Sequence, residues 1–217
     1  MSGVQLPHLS APAKRAIWLP LFGAVTMAVA VFVTSPQSLT NLESRGLELA
    51  VLGTSPAFSL VDQEGRTVTD TALRGNILVI DFFFTSCRTV CPVQTSRMAE
   101  VQKRLEDKSG VHLISFSVDP ETDTPDVLNA YAGRYGADPT RWSFLTGAPE
   151  AMDKVVSGYW QIVERVPRPD GAGFDIAHSE RFVLVDRAGN IRGFYKTDEG
   201  GLDHLMKDLG AALSEQG

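Results

Sequence analysis

ILVIDFFFTSCRTVCPVQTSRMAEVQKRL, residues 77–105, divides into an apolar half and a helical half. Residues 77–84 form an almost continuous Ile, Val and Phe run that follows Arg74-Gly75-Asn76. A run of that length and type reads as a strand buried on both faces. After Pro92 the period becomes helical, with Val93, Met98, Val101 and Leu105 falling roughly on one face. Proline suits a first helical turn, where its missing N–H would have no partner anyway. The only two cysteines, Cys87 and Cys91, therefore sit where a central strand hands over to a helix. The partial positive charge of a helix N-terminus favours thiolate over thiol.

The chain has 217 residues, 43% of them hydrophobic and 21% charged, which suits one globular domain with an extension. Only Lys14 and Arg15 are charged before Glu43, so the rest carries 18 basic and 26 acidic residues, a net charge of −8. A nucleic-acid partner is excluded on that ground, because phosphate binding needs a basic face. Two cysteines cannot build a disulfide scaffold; they can form one bridge, one reactive pair, or two ligands of one metal ion.

Working outward toward the N-terminus, residues 1–15 read as a short polar cytoplasmic segment ending in Lys14-Arg15. Residues 16–33 are uncharged, at the lower limit of a membrane-spanning helix, and the basic pair predicts that the preceding end stays inside. A cleavable signal peptide is the rival reading, with Ala28-Val29-Ala30 as its small-residue site. The anchor is preferred because Val31-Phe32-Val33 prolongs the apolar run beyond that site. Either way the remainder is exported, to the periplasm or an equivalent compartment where disulfides persist. Residues 34–55 read as a tether, and residues 56–217 as the folded domain.

Within that domain, residues 58–68 read as a hairpin and 111–118 as a second buried strand. Helices are expected near 125–135 and 149–157, with a short strand at 142–145 and an irregular one at 159–166. Residues 167–173, PRPDGAG, read as a loop. A hairpin over 182–195 and an amphipathic helix over 202–213 close the chain. This order predicts an α/β, thioredoxin-like fold: a central mixed sheet flanked by helices, preceded by a single N-terminal transmembrane helix.

Cys87 and Cys91 are four apart, so on a helical turn both sulfurs can address one point. Two thiolates suit soft metals, copper(I) foremost and also zinc, and a third ligand must come from elsewhere. His8 precedes the apolar segment, His112 lies within a strand and His204 on the closing helix. His178 follows the glycine-rich loop and precedes the strand from Phe182, a position from which a ligand could close over the cysteines, although an incidental loop histidine fits equally well. Asp81, flanked by Ile80 and Phe82, is expected to be buried with a raised pKa. It is either a carboxylate satisfied locally or a proton acceptor beneath the cysteines.

The chain resembles the Sco/SenC family of thioredoxin-fold copper proteins that serve cytochrome c oxidase assembly. The resemblance rests on Phe84-Thr85-Ser86-Cys87, on the CxxxCP of residues 87–92, and on SVDPETDTP at 117–125. WSFLTG at 142–147 and His178-Ser179 before a strand ending in Asp186-x-x-Gly189 extend it across most of the exported part. It implies one copper ion held by Cys87, Cys91 and His178, and a role as metallochaperone for the dinuclear copper centre of oxidase subunit II. The copper donor is not implied.

Asp81, six residues before the first cysteine, is similar to thioredoxin and keeps open an enzymatic alternative. That alternative is a membrane-tethered thiol–disulfide oxidoreductase, with Cys87, Cys91 and Asp81 as catalytic groups, keeping copper-ligand cysteines reduced. Against it, no proline stands directly before Phe182, where thioredoxins carry one. A peroxidase lacks any partner arrangement beyond a generic thiol, and a purely structural disulfide is the blandest reading.

Overall fold

The computed structural model describes residues 49–167, 174–178 and 180–215. The expected cytoplasmic segment, the membrane anchor and the tether up to residue 48 lie outside the described residues. Among the described residues no helix is long and apolar enough to cross a membrane.

The elements follow in the order β1 (Gly53–Thr54), β2 (Ser59–Val61), β3 (Thr67–Thr69), α1 (Asp70–Leu73), β4 (Ile77–Phe83), α2 (Cys91–Arg104), β5 (Val111–Ser117), α3 (Pro125–Arg134), β6 (Trp142–Leu145), α4 (Pro149–Gly158), β7 (Val163–Pro167), β8 (Phe174–His178), β9 (Arg181–Val185), β10 (Asn190–Lys196) and α5 (Glu199–Ser214). Six strands make one mixed sheet in the order β1-β10-β9-β4-β5-β6. β4, β5 and β6 run parallel, while β9 pairs antiparallel with β4, and β10 with β9. Each parallel crossover is made by a helix, as parallel neighbours require. β2–β3 and β7–β8 form two separate hairpins.

Every residue of β4 is buried, which is why its sequence shows no alternation. β5 is nearly as enclosed, with only His112 partly exposed. Phe82 packs against Phe116 and Tyr159, and Phe83 against Tyr131 and Phe144, two aromatic groups at the C-terminal ends of these strands. α2 lays Met98 and Val101 into this core, and α5 adds Leu202, Leu205 and Leu209. Arg104 of α2 bonds Asp203 of α5 at 3.2 Å, across two neighbouring helices.

Three features depart from the sequence reading. Gly53–Thr54, within the stretch assigned to the tether, forms the edge strand beside β10. Residues 70–73 form a one-turn helix capped by Thr69, whose hydroxyl accepts the Ala72 N–H at 3.1 Å. Phe174–His178 is a strand, with His178 opposite Val163. A five-residue strand after a glycine-rich loop offers too short a pattern to stand out against the loop.

Candidate metal and thiol centre

The carboxyl ends of β4 and β5 lie side by side, with Phe83 opposite Ser117. Loops leaving the carboxyl ends of adjacent parallel strands form a crevice where sites collect. The first loop carries Thr85-Ser86-Cys87 and leads into α2, whose first residue is Cys91. Cys91 is fully buried, whereas Cys87 is partly exposed, and the two are not joined in a disulfide.

The Cys91 N–H, in the first turn of α2, donates to Cys87 Sγ at 3.4 Å. First-turn N–H groups have no helical acceptor, and here a sulfur supplies one. Thr89 Oγ1 lies 3.8 Å from the same sulfur. Burial pushes the Cys87 thiol up, but the Cys91 thiol, its N–H and Thr89 outweigh burial and hold it below the usual thiol value. Cys91 goes the other way. Burial first, then its interaction with Cys87 and the charge of Asp81, push it far above the usual value. On the buried side Thr95 Oγ1 donates to the Cys91 carbonyl at 2.9 Å and meets the Tyr131 hydroxyl at 2.9 Å.

Asp81 lies in β4 opposite Ser115 and is completely buried. Neither carboxylate oxygen reaches a hydrogen-bond partner among the described residues, and the Gln94 Oε1 is likewise unpartnered. The other end of Gln94 donates to the Phe82 carbonyl at 3.3 Å. Burial therefore dominates, and the nearby Ser115 and Gln94 offset only part of it, so the Asp81 pKa rises to about 7.

His178 closes β8, three residues before β9 begins. β9 runs antiparallel to β4, with Val183 opposite Ile80. The chain thus enters β9 at the end of the sheet from which the cysteine loop leaves β4. His112 is opposite Leu78, toward the other end of β4, and its Nε2 is 2.9 Å from Ser143 Oγ. Burial, followed by the charges of Arg141 and Arg66, pushes its pKa down to about 4, so it is neutral and structurally engaged. His204 is exposed on α5.

One participant escaped the sequence reading. Asp123, in the loop after β5, is fully buried and reaches across to the cysteine loop. Its carboxylate accepts the Thr85 N–H at 3.2 and 3.3 Å, the Thr85 hydroxyl, and the Ser117 hydroxyl at 2.5 Å. Burial raises its pKa more than these donors lower it. In sequence it stands within SVDPETDTP, a stretch that carries the family resemblance but assigns this residue no role.

Two soft sulfurs at one helix N-terminus, one partly exposed and held below the usual thiol value, form a donor set for a soft cation and equally for disulfide exchange. Residues 50–214 match the family model SCO1/SenC. The chain belongs to the Sco/SenC family. A similar protein is the SCO1 protein homolog of Bacillus subtilis, 33% identical over 159 residues, covering 71% of this chain and 80% of that one. Among solved structures, Bradyrhizobium japonicum ScoI with copper bound is 31% identical with a TM-score of 0.62, covering 71% of this Sco/SenC chain and 98% of the other. BsSco, a member of the Sco family of cytochrome c oxidase assembly proteins in which a disulfide switch was identified, is 31% identical with a TM-score of 0.66, covering 77% and 98%. These likenesses match the thioredoxin-like mixed sheet with its flanking helices.

Proposed function

We propose that this protein is a copper-binding assembly factor for cytochrome c oxidase. It carries one copper ion through Cys87, Cys91 and His178 and passes it to the dinuclear copper centre of subunit II. The observation that carries this reading is the pair of reduced thiols at the start of α2, with Cys91 N–H supporting Cys87 Sγ, in a chain whose solved relative holds copper. The uncharged residues 16–33 serve as a single-pass anchor in the inner membrane, residues 34–48 as the tether, and the domain faces the exported side. Copper(I) titration of the full chain under reducing conditions tests the reading: one ion per parent chain, and weaker binding by His178→Ala. A parent that binds no copper(I) would end it.

The inequality of the two thiols, together with Asp81, favours a second role at the same site. The Cys87 thiolate attacks a disulfide of a partner protein, forming a mixed disulfide and releasing one partner thiolate. Asp81 accepts the Cys91 proton, and the Cys91 sulfur then displaces the second partner thiol. The partner gains two thiols, Cys87 and Cys91 become a disulfide, and an external dithiol reductant restores them.

A further inference from the structure

The loop bearing Cys87 has few anchors of its own. Ser86, Arg88 and Thr89 are exposed, and the Cys87 N–H reaches back only to the Phe84 carbonyl at 3.3 Å. A two-sulfur site gains from rigidity, because the sulfurs must be held within a fraction of an ångström for full benefit. What fixes the start of this loop comes from the neighbouring strand's loop. Asp123 is fully buried, yet no Lys or Arg pairs with it among the described residues. All three of its donors, the Thr85 N–H, the Thr85 hydroxyl and the Ser117 hydroxyl, lie in the two segments that flank the crevice. Ser117 is itself held, its oxygen accepting the Asp119 N–H at 3.1 Å. The Asp123 N–H donates to the Asp119 carbonyl at 3.0 Å, which closes the turn around the carboxylate. A buried carboxylate with no cation is costly unless hydrogen-bonded, and this one is bonded only to groups that join the two loops.

We propose that Asp123 is a positioning residue for the thiol centre: through Thr85 it clamps the loop carrying Cys87 to the end of β5 and so sets the sulfur pair for its ligand. The proposal rests on Cys87 and Cys91 acting as the functional thiols. Asp123 touches neither sulfur and acts two residues upstream of Cys87. The clamp is specific to a carboxylate, because one group must accept from both loops at once. An amide in its place would turn an NH₂ toward either Thr85 or Ser117.

Asp123→Asn, Thr85→Val and Thr85→Ser in the full, copper-free, reduced chain test this. Amide hydrogen exchange is followed over residues 85–91 and, as an internal standard, over β4, and copper(I) affinity is measured by competition with a chromophoric copper(I) chelator. Asp123→Asn and Thr85→Val should each speed exchange over residues 85–91 about tenfold without changing β4, and should weaken copper(I) binding about tenfold. Thr85→Ser keeps both donors and should match the parent in both. Exchange that is unchanged over residues 85–91, or that rises equally in β4, would show a general packing role and overturn the clamp. Local loosening with unchanged copper(I) affinity would also overturn it, since the sulfurs would then not depend on the loop. Should Asp123→Asn fail to fold, Thr85→Val decides alone. A parent that binds no copper(I) would sink the proposed function, while the exchange data and the iodoacetamide reactivity of Cys87 in Thr85→Val would still decide the clamp; parent-like reactivity would reject it.

Discussion

Cys91 donates its backbone N–H to the sulfur of Cys87, four residues back, at 3.4 Å. The two cysteines are therefore not equivalent partners. The same contact that supports negative charge on Cys87 leaves Cys91 beneath it, buried beside Thr95 and within the field of Asp81. One thiol is set to meet other molecules and the other to follow.

The first prediction concerns that inequality. Iodoacetamide added to the reduced chain near pH 8 should alkylate Cys87 at least about tenfold faster than Cys91, because thiolate fraction and access both favour it. Peptide mass spectrometry over a time course measures the two rates. Equal rates, or a faster Cys91, would contradict the assigned order of attack.

The second prediction concerns the ligand set. Cys87→Ser and Cys91→Ser should each abolish tight copper(I) binding, since a soft cation loses half its sulfur ligands. His178→Ala should weaken binding about 10- to 100-fold and leave the melting temperature nearly unchanged. His112→Ala should bind as the parent does, because its ring is engaged by Ser143 toward the far end of β5. It should instead lose about 1 kcal/mol of stability with that hydrogen bond. Parent-like binding by His178→Ala with a loss in His112→Ala would reverse the assignment.

Much of the centre is legible before any coordinates. Residues 77–105 announce a buried strand, a break and a helix, and they become β4, the cysteine loop and α2 with only small boundary shifts. Such periodic segments state their environment locally. The Asp123–Thr85 contact spans 38 residues and follows from the parallel register of β4 and β5, which no local pattern encodes. The same holds for β8, whose short alternation of Phe174 and Ile176 with Asp175 and Ala177 becomes a strand by pairing with β7. Asp81 was legible because a carboxylate inside a run of Ile, Val and Phe has few places to go. That neither of its oxygens would meet a hydrogen-bond partner among the described residues was not.

A third prediction addresses topology. Lys14-Arg15 ahead of an uncharged span calls for a retained anchor. Mass spectrometry of the membrane fraction should recover peptides from the mature protein that begin before Ala28. A mature chain starting at Val31 would identify a cleaved signal instead.

The last prediction joins stability to chemistry at Asp81. In the unfolded chain its pKa is about 3.9. In the native protein burial raises it to about 7. Between those values the native state binds the more protons, so stability is fully present below about pH 4 and is lost as pH rises through about 7. Each unit between the two values costs about 1.4 kcal/mol. Asp81→Asn cannot titrate and fills nearly the same volume. Its melting temperature should therefore lack the decline that the parent shows between about pH 4 and 7, and should exceed the parent's at pH 8. If Asp81 also takes the Cys91 proton, the same variant should exchange with a model disulfide more slowly near neutral pH, while still binding one copper(I). Thermal melts and exchange rates over about pH 5 to 9 read both effects. A parent-like pH slope in the melts would mean that Asp81 is ionised in the native protein across this range, as it is in the unfolded chain. A changed slope with unchanged exchange would leave it a buried acid without a part in the thiol chemistry, and the copper role would stand alone.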